Sequence, residues 1–206
     1  MNADERVESL TQEHLSDVHG GSLSIVGEDN PFFRSIRKTA NNVDVTVLDG
    51  FHATTPVLLD AKSDKEYVLT KDNDIDHLVT DGMSCVAEAT LDLLQTYGLS
   101  GKHVVIIGRG HAVKGLATAM LANDATVTVC HSKTRFLSCI MHNADMLVVA
   151  APVKESFRPR FTSVVVDISN AFADREDTLK ATCEYTRHIG KLTVAILLER
   201  AARKNE

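Results

Sequence analysis

The sequence predicts an α/β fold: a parallel sheet with helices on both faces, preceded by a smaller, reduced N-terminal α/β lobe. Three observations predict it. HVVIIG (103–108), ATVTVC (125–130), DMLVVAA (145–151) and SVVVDIS (163–169) are short, mostly apolar runs of the length of strands buried on both faces. Stretches of helical spacing alternate with them, the pattern of strand–helix–strand crossovers. The chain has 206 residues, 44% of them hydrophobic, which allows one large domain, or one full domain plus a reduced one.

In chain order, residues 1–20 are polar and acidic and read as a frayed or weakly helical tail. SLSIVG (22–27) reads as a strand, and the segment after Asn30 reads as a helix opening at Pro31, where the missing N–H costs nothing. VDVTVLDG (43–50) is an alternating strand. Residues 53–82 are mixed, with strand-like PVLLDA (56–61) and EYVLT (66–70) and an acidic turn, KDNDID (71–76). SCVAEATLDLLQTYG (84–98) has helical spacing and ends on a glycine. The chain divides into the tail, a reduced substrate-type lobe over 21–83, and a nucleotide-binding type lobe over 84–206. In the last of these the regular runs follow with a helix over 112–122, a short helix over 135–144, and the amphipathic helix KLTVAILLERAARK (191–204).

The strand–glycine turn–helix at VVIIGRGHAVKGLATAML (104–121) has G-x-G-x-x-x-x-G rather than the standard G-x-G-x-x-G, and reads as the nucleotide turn of a Rossmann-type sheet or as a close strand–helix packing corner. Gly108 permits the sharp turn out of the strand, and Gly110 lets backbone approach a diphosphate favoured by the N–H groups of the following helix. A site for NAD places an acid on the ribose at the end of the next strand. Here that strand runs into His131, Ser132, Lys133, Thr134 and Arg135: two hydroxyls, two permanent cations and no carboxylate. With Arg109, this corner suits a 2′-phosphate, so NADP is expected rather than NAD.

Lys+Arg number 22 and Asp+Glu 28, a formal charge of −6, which gives no electrostatic reason to expect nucleic acid or an anionic membrane as partner. No apolar run is long enough for a membrane helix, and the polar start does not read as a secretory signal. Cys85, Cys130, Cys139 and Cys183 form no CxxC pair, so a reduced, cytoplasmic setting is expected. The nine histidines show no metal spacing, and no metal site is expected.

GRGHAVKGL, ATVTVCHSKT, NADMLVVAAP (143–152), VVVDISN (164–170) and GKLTVA (190–195) resemble, in order and distance, the bifunctional methylenetetrahydrofolate dehydrogenase/methenyltetrahydrofolate cyclohydrolases, the FolD-like enzymes. The likeness spans residues 84–200. It implies that Gly108, Arg109 and Gly110 cradle the diphosphate and that His131 and Ser132, with Lys133, meet the 2′-phosphate. It also implies that Ala150, Ala151 and Pro152 line the ribose, that Ile168 and Ser169 form the next strand end, and that Thr193 lies near the nicotinamide. Gly110 stands where the family has serine, and Lys114 where it has the helix-opening glycine, so Lys114 either crowds the phosphate or adds a cation to it.

The N-terminal half departs from the family's Y-x-x-x-K helix, Q-x-P-L-P strand end and D-x-D-G-F segment. Phe32 or Phe33 stands for the tyrosine, Lys38 is the nearby lysine, and Asp76 of DIDHL is the positional acid, so Lys38 and Asp76 are the catalytic candidates. Hydride transfer from a carbon between two nitrogens needs positioning above all, whereas the cyclohydrolase step needs a tuned acid–base group. The resemblance therefore implies an NADP-dependent dehydrogenase acting on a folate-type small molecule, with the cyclohydrolase activity the more exposed to these departures. The alternatives are a catalytically inactive nucleotide-binding or interaction protein of the same fold, or an oxidoreductase with another small substrate. A homodimer through the apolar faces of 135–150 and 191–200 is also implied.

Overall fold

A computed structural model of the chain describes residues 1–52, 54–59, 69–154 and 164–204. The polar start is not a tail but helix α1 (Ala3–Ser16). The Asn2 side chain accepts from Glu5 N–H, the Glu5 carboxylate accepts from Asn2 N–H, and Ala3, Val7 and Thr11 form a buried stripe at four-residue spacing. Three small residues give a weak apolar signal in sequence, yet they suffice where a neighbouring helix covers them.

Strand β1 (Ser22–Val26) is followed by α2 (Pro31–Ala40), which opens at the proline under an Asn30 cap. β2 (Thr46–Asp49) is shorter than the run that predicts it, and β3 (Val57–Leu59) falls inside PVLLDA. Most of EYVLT lies outside the described residues. α3 (Cys85–Gln95) starts under the Ser84 hydroxyl, and β4 (His103–Ile107) is the central apolar strand.

The helix expected over 112–122 is broken. A 3-10 turn over His111–Val113 is followed by extended Lys114, left-handed Gly115 and then α4 (Leu116–Ala122). A Cβ at Gly115, where φ is +81°, would stand 3.0 Å from Met83 Cα, so close packing on the preceding loop fixes the break. β5 (Thr126–Cys130), α5 (Leu137–His142), β6 (Met146–Val149) and β7 (Val164–Asp167) follow as expected, each trimmed at its ends. α6 (Glu176–Lys180) and β8 (Glu184–Thr186) escape the sequence reading because each is too short to show a period. The amphipathic helix is α7 (Gly190–Arg203).

Among the described residues the strands form two parallel sheets, β2-β1-β3 and β5-β4-β6-β7-β8. Along β4 the side chains alternate. Val104 and Ile106 join one core with α3, α4 and α7, and Val105 and Ile107 join a second with α5, α6, Phe172 and Tyr185. The larger sheet thus has helices on both faces, as predicted. α7 packs on α1, α2, α3 and β1, so the expected docking face over 191–200 is already covered inside the chain. That part of the dimer expectation is corrected.

Candidate functional site

The strand order of the larger sheet reverses between β4 and β6: β5 lies on one side of β4 and the later strands on the other. In such sheets the crevice opens beyond the carboxyl ends of the two strands at the reversal. Gly108 leaves β4 there with φ +114°, and a Cβ on it would lie 3.1 Å from the Ala150 carbonyl carbon and 3.3 Å from Ala151 Cβ. Its N–H donates to Cys130 O at 2.9 Å, and Ala150 N–H donates to Ile107 O at 2.8 Å. Three strand ends therefore meet at one glycine. Beside it opens a cavity of about 460 Å³ lined by Gly108, Arg109, Gly110, His111 and Lys114, with Leu78 from the preceding loop. Gly110 has ordinary extended angles and open space around its missing Cβ, so nothing local demands glycine there.

The 131–135 corner lies one strand over and outside that cavity's lining, tied to it by the Gly108–Cys130 bond. His131 N–H donates to Thr134 Oγ1 at 2.9 Å, Thr134 N–H returns to His131 O at 2.8 Å, and Lys133 N–H donates to His131 Nδ1 at 3.1 Å. This tight turn leaves the Ser132, Lys133 and Arg135 side chains exposed to solvent. On the other side, Ala150 and Ala151 pack half-buried behind Gly108, and Pro152 is exposed. Ser169 Oγ donates to Ala151 O at 3.2 Å, joining the two loops, and Ile168 packs half-buried into the core.

Asp167, which sequence reasoning passed over, shapes this end of the sheet. Fully buried, it accepts from Ala171 N–H at 2.9 Å, Phe172 N–H at 2.8 Å and the Tyr185 hydroxyl at 3.1 Å. A lone carboxylate closing the apolar run VVVD is the signal that could have found it.

Of the two catalytic candidates, the structure brings one to the crevice. Asp76 accepts from Cys85 N–H at 2.7 Å and pairs with His111 Nε2 at 2.8 Å, so both of its oxygens are occupied. Burial works to raise its pKa, but the bonds from His111 and Cys85 prevail and hold the carboxyl below its usual range. It acts as a tie between the 74–84 loop and the glycine turn. Lys38 is exposed on α2, off the buried stripe of Phe33, Ile36 and Ala40, because two residues past Ile36 is about 200° around a helix. Thr193 lies in α7. It is 2% exposed, and its hydroxyl donates to Ile189 O at 3.0 Å within α7. Lys114 lines the cavity, and its Nζ donates to His77 O at 2.6 Å and Thr80 O at 2.5 Å. Among the described residues no group of three or more His, Cys, Asp or Glu is placed to hold a metal.

A family model described as tetrahydrofolate dehydrogenase/cyclohydrolase, NAD(P)-binding domain, matches residues 84–206. The bifunctional protein FolD of Thermosipho africanus is 37% identical over 140 residues, covering 59% of this chain and 51% of that protein. That of Ruminiclostridium cellulolyticum is 33% identical over 135 residues, covering 57% and 48%. The chain thus spans about half the length of the curated relatives it matches. Among solved structures, the FolD methylenetetrahydrofolate dehydrogenase/cyclohydrolase of Campylobacter jejuni superposes with a TM-score of 0.68 at 23% identity, over 98% of this chain and 95% of that one. The Trypanosoma brucei enzyme, complexed with NADP cofactor and inhibitor, gives 0.68 at 19% identity, over 99% and 96%. These superpositions show a shared fold.

Proposed function

The chain belongs to the tetrahydrofolate dehydrogenase/cyclohydrolase family through its NAD(P)-binding domain, and from that premise we propose that it is an NADP-dependent oxidoreductase of methylenetetrahydrofolate dehydrogenase type. The observation that carries the reading is the junction at Gly108, where three strand ends leave room for backbone to meet a diphosphate beside a corner of hydroxyls and cations. Gly108, Arg109 and Gly110 would hold the diphosphate, and Ser132, Lys133 and His131 the 2′-phosphate. Ala150, Ala151, Pro152, Ile168 and Ser169 would form the wall on the ribose side. The dinucleotide supplies the hydride acceptor.

The chain's own part in hydride transfer is to place the substrate carbon and exclude water, because the two nitrogens flanking that carbon stabilise the cation left behind. The cyclohydrolase step needs a proton moved at the same carbon, and with Lys38 on the solvent face no lysine of α2 supplies it. We therefore propose a dehydrogenase without cyclohydrolase activity. The exposed Lys38 and the buried Thr193 also favour a second reading, a catalytically inactive nucleotide-binding protein of the same fold.

Both readings place the substrate-type lobe over 21–83 and the nucleotide lobe over 84–206. They also propose a homodimer through the face over 135–150 that is left once α7 is covered, together with the edge strand β5. Fluorescence titration with NADPH and NADH, followed by an absorbance assay of the methenyl product with methylenetetrahydrofolate, separates the two. The dehydrogenase binds NADPH more tightly than NADH and turns over. Tight NADPH binding with no turnover at high protein concentration assigns the inactive reading instead.

A further inference from the structure

Asp167 ends β7 fully buried, and the groups bonded to it among the described residues are neutral donors. Its Oδ1 accepts from Ala171 N–H at 2.9 Å and lies 3.3 Å from Ser169 Oγ. Its Oδ2 accepts from Phe172 N–H at 2.8 Å and from the Tyr185 hydroxyl at 3.1 Å. A buried carboxylate is costly unless its lone pairs are filled, and here the turn that follows it fills them. Asn170, at φ +56°, brings the chain back onto the carboxylate through the left-handed region that asparagine tolerates.

That turn reaches the crevice through Ser169. Its N–H donates to Val149 O at 3.1 Å, and its one hydroxyl proton is shared between Ala151 O, 3.2 Å away, and Asp167 Oδ1. Ala150 and Ala151 form the surface behind Gly108, where a Cβ would stand 3.1 Å from the Ala150 carbonyl carbon. A dinucleotide bound where the strand order reverses has its adenosine half over β5, so its nicotinamide half falls over β6 and β7. The corner at 131–135 belongs to the first half, and Ala151 and Ser169 to the second.

Resting on the dinucleotide reading of the crevice, we propose that Asp167 is a positioning residue for the nicotinamide half, acting through the Ser169 hydroxyl on the loop over 150–152. It touches no cofactor atom. It fixes where the Ala151 carbonyl and the Ser169 hydroxyl stand before the cofactor arrives, so binding has little left to order. An amide in its place has one oxygen for the same donors and sets its own N–H against that of Ala171 or Phe172, which loosens the turn.

The test titrates the full chain with NADPH and with adenosine 2′,5′-bisphosphate, which carries the adenosine half alone. Ser169→Ala and Asp167→Asn are each expected to weaken NADPH binding about tenfold and to leave the bisphosphate unchanged within error. The double variant loses no more than the larger single loss, since both changes break one linkage. Ser169→Thr, which keeps the hydroxyl, restores wild-type affinity. Tyr185→Phe removes a bond to the same carboxylate and leaves Ser169 in place. It lowers the melting temperature with NADPH affinity unchanged, which separates positioning from stability. Where Asp167→Asn fails to fold, Ser169→Ala alone must show the split between the two ligands. Equal NADPH affinity in wild type and Ser169→Ala, or parallel loss of both ligands, overturns the inference and leaves the dinucleotide reading standing. A wild type that does not bind NADPH overturns that reading, and this inference with it.

Discussion

Two glycines two positions apart do different work. Gly108 is required by its angles and by the carbonyl of Ala150 behind its missing side chain, whereas Gly110 has open space and could carry the family's serine. Both were legible as a turn, but only packing distinguishes them. Ser132 shows the reverse case: its chemistry was legible, and the structure adds that it stands exposed on a tight turn, open to an incoming phosphate. Ser132→Asp places a carboxylate where the 2′-phosphate is proposed to bind. NADPH binding should weaken roughly tenfold while NADH binding stays within error in parallel titrations. An unchanged ratio of the two affinities removes the corner from the site. Lys38 was nominated by neighbourhood in sequence, and helical phase, a property of three dimensions, turned it outward.

At the scale of elements, one ring adds a polar clamp to the buried stripe that docks α1. His14 Nε2 meets Asp92 of α3 at 3.1 Å, and its Nδ1 meets Glu199 of α7 at 2.6 Å. Asp92 foremost, then Glu199, raise its pKa against the opposing effect of burial, from 6.5 to about 9. The groups around the ring come from every element packed there: Glu13 and Asp17 on α1, Asp92 on α3, and Glu199 with its partner Arg203 on α7. A folded-state pKa above the unfolded one means the clamp contributes fully below about pH 6.5 and fades as pH climbs through 9. His14→Gln should therefore lower stability by about 2 kcal/mol near pH 6, with the gap closing by about pH 10. Urea denaturation at the two pH values measures it, and a gap independent of pH contradicts the clamp. None of this was visible in a stretch that reads as a polar tail, because the partners lie 78 and 185 positions away.

Over the whole molecule, α7 packs on β1 of the smaller sheet and shares a core with β4 of the larger. Its Arg200 donates to Ile75 O and Met83 O, each at 3.0 Å, and pairs with Glu88 of α3, so the loop bearing Asp76 hangs from the last helix. The glycine turn grips the same loop through His111 and Lys114. Among the described residues β5 is an edge strand of the larger sheet, where Val129 is 44% exposed, with Leu121 of α4 at 58% and Phe136 before α5 at 78%. An unpaired strand edge flanked by apolar side chains is unstable in water against pairing with another copy. Val129→Lys should convert a dimer to a monomer in light scattering at micromolar concentration, with thermal stability of the fold unchanged within a few degrees. A monomeric wild type at the same concentration dismisses the dimer. Among the described residues no helix is long and apolar enough to cross a membrane.

The sequence by itself determined the α/β class, most of the strands and helices between β1 and α7, and the place of the glycine turn. Apolar periodicity and glycine are local signals, which the chain expresses wherever it folds. Tertiary structure alone decided which side chains face the crevice. It gave Asp76 a histidine partner, turned Lys38 to solvent, buried Thr193, and broke a helix at Gly115. Those outcomes depend on helical phase and on partners tens of residues away, and no short window of sequence contains them.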